Sequence, residues 1–167
     1  MDLHFAGRVR EGPVVSDEGT ALPGQNDLSG AAALIELTHN REGRGDICII
    51  EFAVLPFQPQ RFFTVSAVPR DSVRGIHAHR TCQQLLIALN GSLTAMIDDG
   101  RTRSEVRLES PAMGLYMPAL TWGSQFDFSH DALLGVSASH PYDVEDYIDS
   151  YDEFLALAAR KSKSYGN

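Results

Sequence analysis

The sequence predicts an all-β domain, an antiparallel sandwich or barrel, that ends in one α-helix. Short runs of β-branched and apolar residues recur at intervals of roughly 8 to 12 residues, with little helical pattern between them. Turn signals separate the runs, among them Asn90-Gly91 and Asp98-Asp99-Gly100. Apolar residues take up a clear helical spacing only near the C-terminus.

The predicted strands follow one another from residue 33 onward. Pro56 and Pro59 end the second of them, because proline removes a ladder hydrogen bond. A polar turn at 69–74 follows the third, and Asp98-Asp99-Gly100 is a typical hairpin connection. The strands are expected at residues 33–38, 47–55, 61–68, 83–89, 92–97, 104–108, 115–117, 123–128 and 132–138.

The predicted helix follows Asp143, which is placed to cap it. Acidic residues early in the segment and Arg160, Lys161 and Lys163 at its end suit the helix dipole. Its apolar face would consist of Val144, Tyr147, Ile148, Tyr151, Phe154, Leu155 and Ala158.

Length and composition indicate one globular domain. The 167 residues are 43% hydrophobic and 22% charged, and the net charge of −8 argues against nucleic acid and anionic membranes as partners. No apolar run approaches the roughly 20 residues that span a bilayer, and the first residues lack a signal-peptide pattern. Cys48 and Cys82 suggest no disulfide framework, so we expect a cytoplasmic protein. Residues 1–32 would be an N-terminal extension or arm, 33–162 the domain with its helix, and 163–167 a tail.

The segment Arg74-Gly75-Ile76-His77-Ala78-His79 carries the chemistry. Side chains alternate along a strand, so His77 and His79 share one face. With Gln84 and Gly91 the segment resembles the outline of a cupin metal motif, in which a carboxylate would occupy position 84 and a further ligand position 123. An amide is a poor ligand and Gly123 has no side chain, so we expect no metal and acid–base chemistry by the histidines instead. Ordinary barrel-wall histidines are the alternative interpretation.

Three arginines are candidates for binding phosphate. Arg44, Arg61 and Arg74 lie at predicted strand ends or turns, where guanidinium forks could line a barrel mouth and hold a diphosphate. The alternative is that they are exposed or paired with the abundant acids. Tyr116 and Trp122 could stack on a base or sugar, although aromatic residues in a sandwich are more often part of the core.

From about residue 44 to 155 the chain resembles the WxcM-like cupin family of sugar-nucleotide 3,4-ketoisomerases, which act on dTDP-4-keto-6-deoxyglucose. The core of the resemblance is the Arg-Gly-x-His-Ala-His segment at 74–79, together with Asp146-Tyr147-Ile148 and Tyr151-Asp152-Glu153-Phe154. Other matching pieces are Arg44-Gly45-Asp46-Ile47 and Glu51, Arg61-Phe62-Phe63, Leu89-Asn90-Gly91-Ser92, Asp98-Asp99-Gly100, Ser110-Pro111-Ala112, Gly114-Leu115-Tyr116, Trp122 and Tyr142-Asp143.

The resemblance implies a cupin-type antiparallel jelly-roll barrel that is homodimeric, needs no cofactor and moves a ketone from sugar C4 to C3 through an enediol. It implies that His77 and His79 form the acid–base pair, with His79 abstracting the C3 proton. The expected contacts to the dTDP-sugar are Arg44, Arg61, Arg74, Gln84, Tyr116 and Thr64.

The sequence departs from the family pattern at three places. Thr64 stands where relatives have a tyrosine that assists catalysis, Gly123 replaces a histidine of some members, and Gly43 stands at a position that can be tyrosine. The lack of a glycine-rich dinucleotide loop agrees with a reaction in which no hydride leaves the substrate. The alternatives are a 4-keto-sugar epimerase, a sugar-nucleotide-binding cupin without turnover, and a metal-dependent dioxygenase-type cupin, which Gln84 and Gly123 oppose.

Overall fold

The computed structural model of the protein describes residues 31–164. Nearly all of the predicted arm, 1–32, and most of the predicted tail, 163–167, therefore lie outside the described residues. The strands are β1 Ala33–Glu36, β2 Thr38–Glu42, β3 Gly45–Ile49, β4 Arg61–Ser66, β5 Arg74–His79, β6 Gln84–Asn90, β7 Leu93–Asp98, β8 Arg103–Leu108, β9 Met113–Met117, β10 Trp122–Phe126, β11 Leu133–Ala138 and β12 Tyr147–Ile148, and α1 Tyr151–Ser164 follows them.

Within the described residues the strands form two five-stranded antiparallel sheets and one hairpin. The first sheet has the order β1-β9-β6-β11-β4, the second β12-β5-β10-β7-β8, and β2 pairs with β3. One apolar cluster combines side chains of both sheets, and it includes Leu86, Leu115 and Leu134 from the first with Leu93, Ala95 and Ile97 from the second. Because side chains alternate along a strand, every second residue of a strand points toward the space between the sheets. The predicted all-β fold with one C-terminal helix is confirmed.

The second predicted strand, 47–55, is wrong in its second half. The strand β3 ends at Ile49, and Phe52–Val54 forms a short 3₁₀ helix. Leu55 and Phe57 then become buried against Leu85 and Ile87 on the outer face of the first sheet. The chain leaves the ladder here because these apolar side chains gain more by covering that face than by extending a two-stranded hairpin.

The helix begins later than the periodicity predicted. Asp143 does accept a hydrogen bond, from the backbone N–H of Glu145, but it caps a 3₁₀ helix at Val144–Asp146. The next residues, Tyr147 and Ile148, are extended and pair with His79 and Ala78 of β5. The α-helix starts at Tyr151, where the Ser150 hydroxyl accepts a bond from the backbone N–H of Glu153.

Helix α1 covers the outer face of the second sheet. Phe154 is completely buried and packs with Trp122 of β10 and Ile148 of β12. The buried carboxylate of Asp98 accepts a hydrogen bond from the Tyr151 hydroxyl at 2.8 Å and is also paired with Arg103. These contacts hold β12 firmly against β5, which is the strand of the two histidines. In the part of the chain described here, no helix has the length and apolar character to cross a membrane.

Candidate active site

The predicted histidines lie in a cavity between the two sheets, where β5 and β12 form one wall. His77 and His79 are on the same face of β5, and their ring centroids are 5.0 Å apart. Both histidines line a small compartment, and a larger one of about 150 Å³ adjoins it. The compartments share the side chains of His77, Gln84 and Gln125 and the backbone of Gly75. They form one continuous site, which we call the histidine cavity.

His79 forms a dyad with Asp146. Its Nδ1 is 3.0 Å from Asp146 Oδ2, and both residues are buried. The carboxylate also accepts three other bonds, from the backbone and hydroxyl of Thr81, each at 2.7 Å, and from the backbone N–H of Cys82 at 3.1 Å. Four donors therefore fix the carboxylate in place, and the carboxylate in turn fixes the imidazole ring.

The dyad determines which ring nitrogen of His79 can act as a base. An ionised carboxylate only accepts hydrogen bonds, so His79 Nδ1 carries the proton that faces Asp146. In the neutral ring Nε2 then holds the lone pair, and the Gln84 amide nitrogen lies 3.1 Å from it as a donor. Burial would raise the pKa of Asp146, but the bonds from Thr81 and Cys82 and the neighbouring His79 lower it overall, which keeps the carboxylate ionised.

Burial keeps both histidines neutral. Burial and, to a smaller extent, the proximity of His79 lower the pKa of His77 to about 4, while Asp149 opposes the shift. Burial also lowers the pKa of His79, against the charge and hydrogen bond of Asp146. Nearby Arg61 lowers the pKa of His79 as well. A neutral imidazole is the form that can accept a proton.

These shifts predict the acidic limb of the pH–rate profile. The active form has an unprotonated His79, and its lowered pKa means that half-protonation occurs only below the usual value of 6.5. We therefore expect more than half of the maximal kcat/KM to remain at pH 6.5. The Gln84→Glu variant tests this cause. It places a carboxylate beside the His79 ring, so it should raise the pKa of His79 and move the acidic limb to higher pH. A wild-type limb centred above pH 6.5 would contradict the lowered pKa of His79.

Two of the predicted arginines lie at the cavity, and neither has a counter-ion among the described residues. Arg74 lines the larger compartment, and Arg61 stands close enough to His79 to affect its pKa. The Arg61 guanidinium carbon is 5.2 Å from the centre of the Phe63 ring and 5.6 Å from that of Tyr142. Its Nε is buried and has no hydrogen-bond partner among the described residues. In contrast, Arg80, Arg103 and Arg107 each pair with a carboxylate.

The structure does not bring the other predicted substrate contacts to this cavity. Phe63 and Val65 line the larger compartment, so strand alternation places Thr64 on the opposite face of the sheet. Tyr116 packs in the cluster on that outer face and donates a hydrogen bond to Gln83 at 2.6 Å. Arg44 is exposed at the turn between β2 and β3.

Asp146, Tyr147 and Gln125 lie in or beside the cavity, and sequence reasoning gave them no functional role. Asp146 completes the dyad, and the Tyr147 ring lies 4.8 Å from that of His77 and 4.5 Å from that of His79. Gln125 reaches over Gly75, where a positive φ and the close amide leave no room for a side chain. Asp146 and Tyr147 belong to the Asp-Tyr-Ile segment that the chain shares with the family. That shared segment was the sequence signal that could have identified both as site residues.

One group of side chains could also contact a metal ion. Ligand atoms of His79, Cys82 and Asp146 lie within 4.8 Å of one another. However, the Asp146 oxygens already accept four hydrogen bonds, one of them from His79, so an ion would have to displace that pairing. The cupin ligand positions do not fit a metal either, because Gln84 is neutral and Gly123 has no side chain. The donor set suits a proton-carrying dyad better than a metal centre.

A jelly roll with a buried imidazole–carboxylate dyad in its cavity defines a cupin-type enzyme of acid–base chemistry. Residues 31–159 match the family FdtA, WxcM-like, C-terminal. The chain belongs to this family, as the sequence predicted.

Named relatives agree with this assignment. The chain is 38% identical over 120 residues to TDP-4-oxo-6-deoxy-alpha-D-glucose-3,4-oxoisomerase of Aneurinibacillus thermoaerophilus, covering 71% of this chain and 86% of that protein. The sugar 3,4-ketoisomerase QdtA of Thermoanaerobacterium thermosaccharolyticum, solved in complex with TDP, has 34% identity and a TM-score of 0.75 over 78% of this chain and 96% of its own. NovW, a 4-keto-6-deoxy sugar epimerase of Streptomyces spheroides, shares the fold at 16% identity and a TM-score of 0.61, over 70% of this chain and 67% of its own.

Proposed function

We propose that this protein is a sugar-nucleotide 3,4-ketoisomerase that moves the ketone of a dTDP-4-keto-6-deoxyhexose from C4 to C3 through an enediol. The observation that carries the proposal is the His79–Asp146 dyad, buried beside two arginines for which residues 31–164 supply no counter-ion. The relatives with 30% identity or more supply the substrate class: the curated one is named as a TDP-4-oxo-6-deoxyglucose isomerase, and the solved one binds TDP.

The dyad suits the first step of this reaction. A C–H bond beside a ketone is acidic enough to be broken by a neutral imidazole only when the resulting oxyanion is stabilised. His79 Nε2 takes the C3 proton, and Asp146 stabilises the imidazolium that forms. The Gln84 amide donates to His79 Nε2. When the substrate C3–H takes that place, the amide N–H turns toward a sugar oxygen.

The two arginines hold the nucleotide diphosphate. Arg61 and Arg74 have no carboxylate partner in the described part of the chain, and phosphate oxygens are acceptors that match their donors. The exposed ring of Tyr142 beside Arg61 offers a surface on which a base can stack. Binding energy from this remote part of the substrate positions the small reacting ring.

Arg61→Ala and Arg74→Ala should each weaken the binding of TDP. A hydrogen bond to a charged group contributes about 1.5–3 kcal/mol, so we expect Kd to rise by about 10- to 100-fold in calorimetric titration. Arg107→Ala is the matched control, because that guanidinium is bound to Asp127 and lines a different cavity. Unchanged TDP affinity in both cavity variants would remove these arginines from the diphosphate site.

The proposed reaction is tested by incubating the protein with dTDP-4-keto-6-deoxyglucose in D₂O. We expect NMR to show deuterium at C3 of the recovered substrate and formation of a 3-keto sugar with deuterium at C4. An inverted carbon with the ketone still at C4 would instead identify an epimerase. Binding of the substrate without exchange would identify a sugar-nucleotide-binding protein that lacks turnover. Either result would refute the isomerase.

The catalytic domain comprises residues 33–162, and it acts as a homodimer. Large apolar side chains are exposed on β3, the 3₁₀ helix after it and β4, on the side of the first sheet that faces away from the histidine cavity. Exposed apolar clusters of this kind are typical of protein interfaces. They include Ile47, 53% exposed, Phe52, 50%, Val54, 69%, and Phe62, 56%. Light scattering that gives the mass of a single chain would exclude the dimer.

A further inference from the structure

The ketone shift needs a second group that exchanges protons with the sugar oxygens. When His79 takes the C3 proton, negative charge develops on O4, and the enediol forms only if that oxygen gains a proton. Later the 3-hydroxyl must lose its proton so that the new ketone can form. The donor therefore has to reach O3 and O4 and must recover its proton within each turnover.

Few side chains that line the histidine cavity can do this. Burial holds the pKa of His77 at about 4, so its ring is neutral and a weak proton donor at neutral pH. The amides of Gln84 and Gln125 donate hydrogen bonds but do not transfer protons, and a guanidinium such as that of Arg74 stays protonated in proteins. Cys82 faces the dyad and is bonded to the Gln83 carbonyl oxygen at 3.5 Å.

Tyr147 has the required position. Its ring contacts those of both histidines, at 4.8 and 4.5 Å between centroids, and it lines the larger compartment. Its backbone pairs with that of His79, so the two residues are fixed relative to each other. Among the described residues its hydroxyl has no hydrogen-bond partner, and it is not buried. An accessible, unpaired phenol beside the base is available to a ligand.

The strand opposite offers no hydroxyl for this purpose. The residues of β4 that line the larger compartment are Phe63 and Val65, and Thr64 lies on the other face of that strand. In contrast, the hydroxyl groups of Tyr116 and Tyr151 are both bonded to protein groups. Of the described tyrosines, Tyr147 alone lines the histidine cavity.

We propose that the Tyr147 hydroxyl is the proton shuttle of the ketone shift, exchanging one proton with O4 and then with O3 of the sugar. This inference rests on the proposed isomerase function. In the first half, His79 Nε2 takes the C3 proton, the C–H electron pair becomes the C3–C4 double bond, and O4 takes the phenol proton. In the second half, the phenolate takes the proton of the 3-hydroxyl, the C3 ketone forms, and the imidazolium returns its proton to C4. Both side chains recover their starting state.

The test is Tyr147→Phe, which keeps the ring that packs on the imidazoles and removes only the hydroxyl. We expect kcat to fall on the order of 10²-fold, with C3 exchange in D₂O falling in parallel and KM changing little. Tyr151→Phe is the control, because it also removes one phenol. It loses the bond to Asp98 and should lower Tm while leaving kcat near wild type.

The shuttle would be overturned by wild-type kcat and exchange in Tyr147→Phe, which would show that the hydroxyl transfers no proton. If His77→Asn also showed a large loss of kcat, the role would pass to His77. The proposed function is tested separately by the wild-type protein, because a wild type without exchange refutes the isomerase itself and the shuttle with it.

Discussion

His79→Asn should abolish exchange of the C3 hydrogen with D₂O and lower kcat by about 10²- to 10⁴-fold, the usual contribution of a general base. Asparagine has no group that accepts a proton at neutral pH, while its amide N–H can still donate to Asp146 in place of Nδ1. The fold should therefore be retained, with Tm close to wild type. The readout is NMR of dTDP-4-keto-6-deoxyglucose in D₂O, with steady-state kinetics on the same samples.

The matched control for this variant is His77→Asn. His77 lies on the same face of β5 and lines both compartments, but within residues 31–164 no carboxylate is bonded to its ring. We expect its loss to reduce kcat by less than the loss of His79. Retained C3 exchange in His79→Asn, or a larger loss in His77→Asn, would exclude His79 as the base.

The parts of the site that could be predicted from sequence depend on local periodicity. A period of two places His77 and His79 on one face, and the structure has both in one cavity with ring centroids 5.0 Å apart. The hairpin signal Asp98-Asp99-Gly100 likewise connects β7 and β8, because Asp98 accepts a bond from the Gly100 N–H and Gly100 adopts a positive φ. Such features are encoded within a few residues.

The dyad could not be predicted in this way because its partners are 67 residues apart. Spacing alone made Val144, Tyr147 and Ile148 look like one side of a helix. In the structure, Tyr147 and Ile148 pair with β5, and the preceding carboxylate of Asp146 binds Thr81 and Cys82. Tertiary contacts therefore override the helical pattern over this short stretch.

The sequence alone also could not predict which face of the sheet a given side chain occupies. The family pattern pointed to position 64, but a strand turns each successive side chain to the other face. In β4 the residues at the cavity are Phe63 and Val65. The same rule sends Tyr116 to the outer face of β9, while its neighbours Leu115 and Met117 face the core. Which face is inward depends on the packing of whole sheets.

Asp146→Asn should lower kcat by 10²-fold or more with little change in KM, and should also lower Tm. An amide has one acceptor oxygen where the carboxylate has two, so its NH₂ must face either Thr81 or the pair formed by His79 and the Cys82 N–H. A buried donor left without an acceptor costs about 1–3 kcal/mol. We expect the NH₂ to face His79, because the Cys82 N–H that would lose its acceptor is held at 3.1 Å, less closely than the Thr81 donors at 2.7 Å. His79 Nδ1 is then the acceptor, which moves the ring proton to Nε2, and a protonated Nε2 cannot take the C3 hydrogen.

The tautomer provides a readout that a purely structural role for Asp146 would not move. Nitrogen-15 NMR of the His79 ring should show the proton on Nδ1 in the wild type and on Nε2 in Asp146→Asn. Asp143→Asn is the control, since it makes the same chemical change in the same segment at an exposed 3₁₀ cap, where asparagine caps as well as aspartate. Because Asp143 makes no contact with the ring, its variant should keep both kcat and the wild-type tautomer. If Asp146→Asn kept the wild-type tautomer and kcat, the carboxylate would have no part in setting the base.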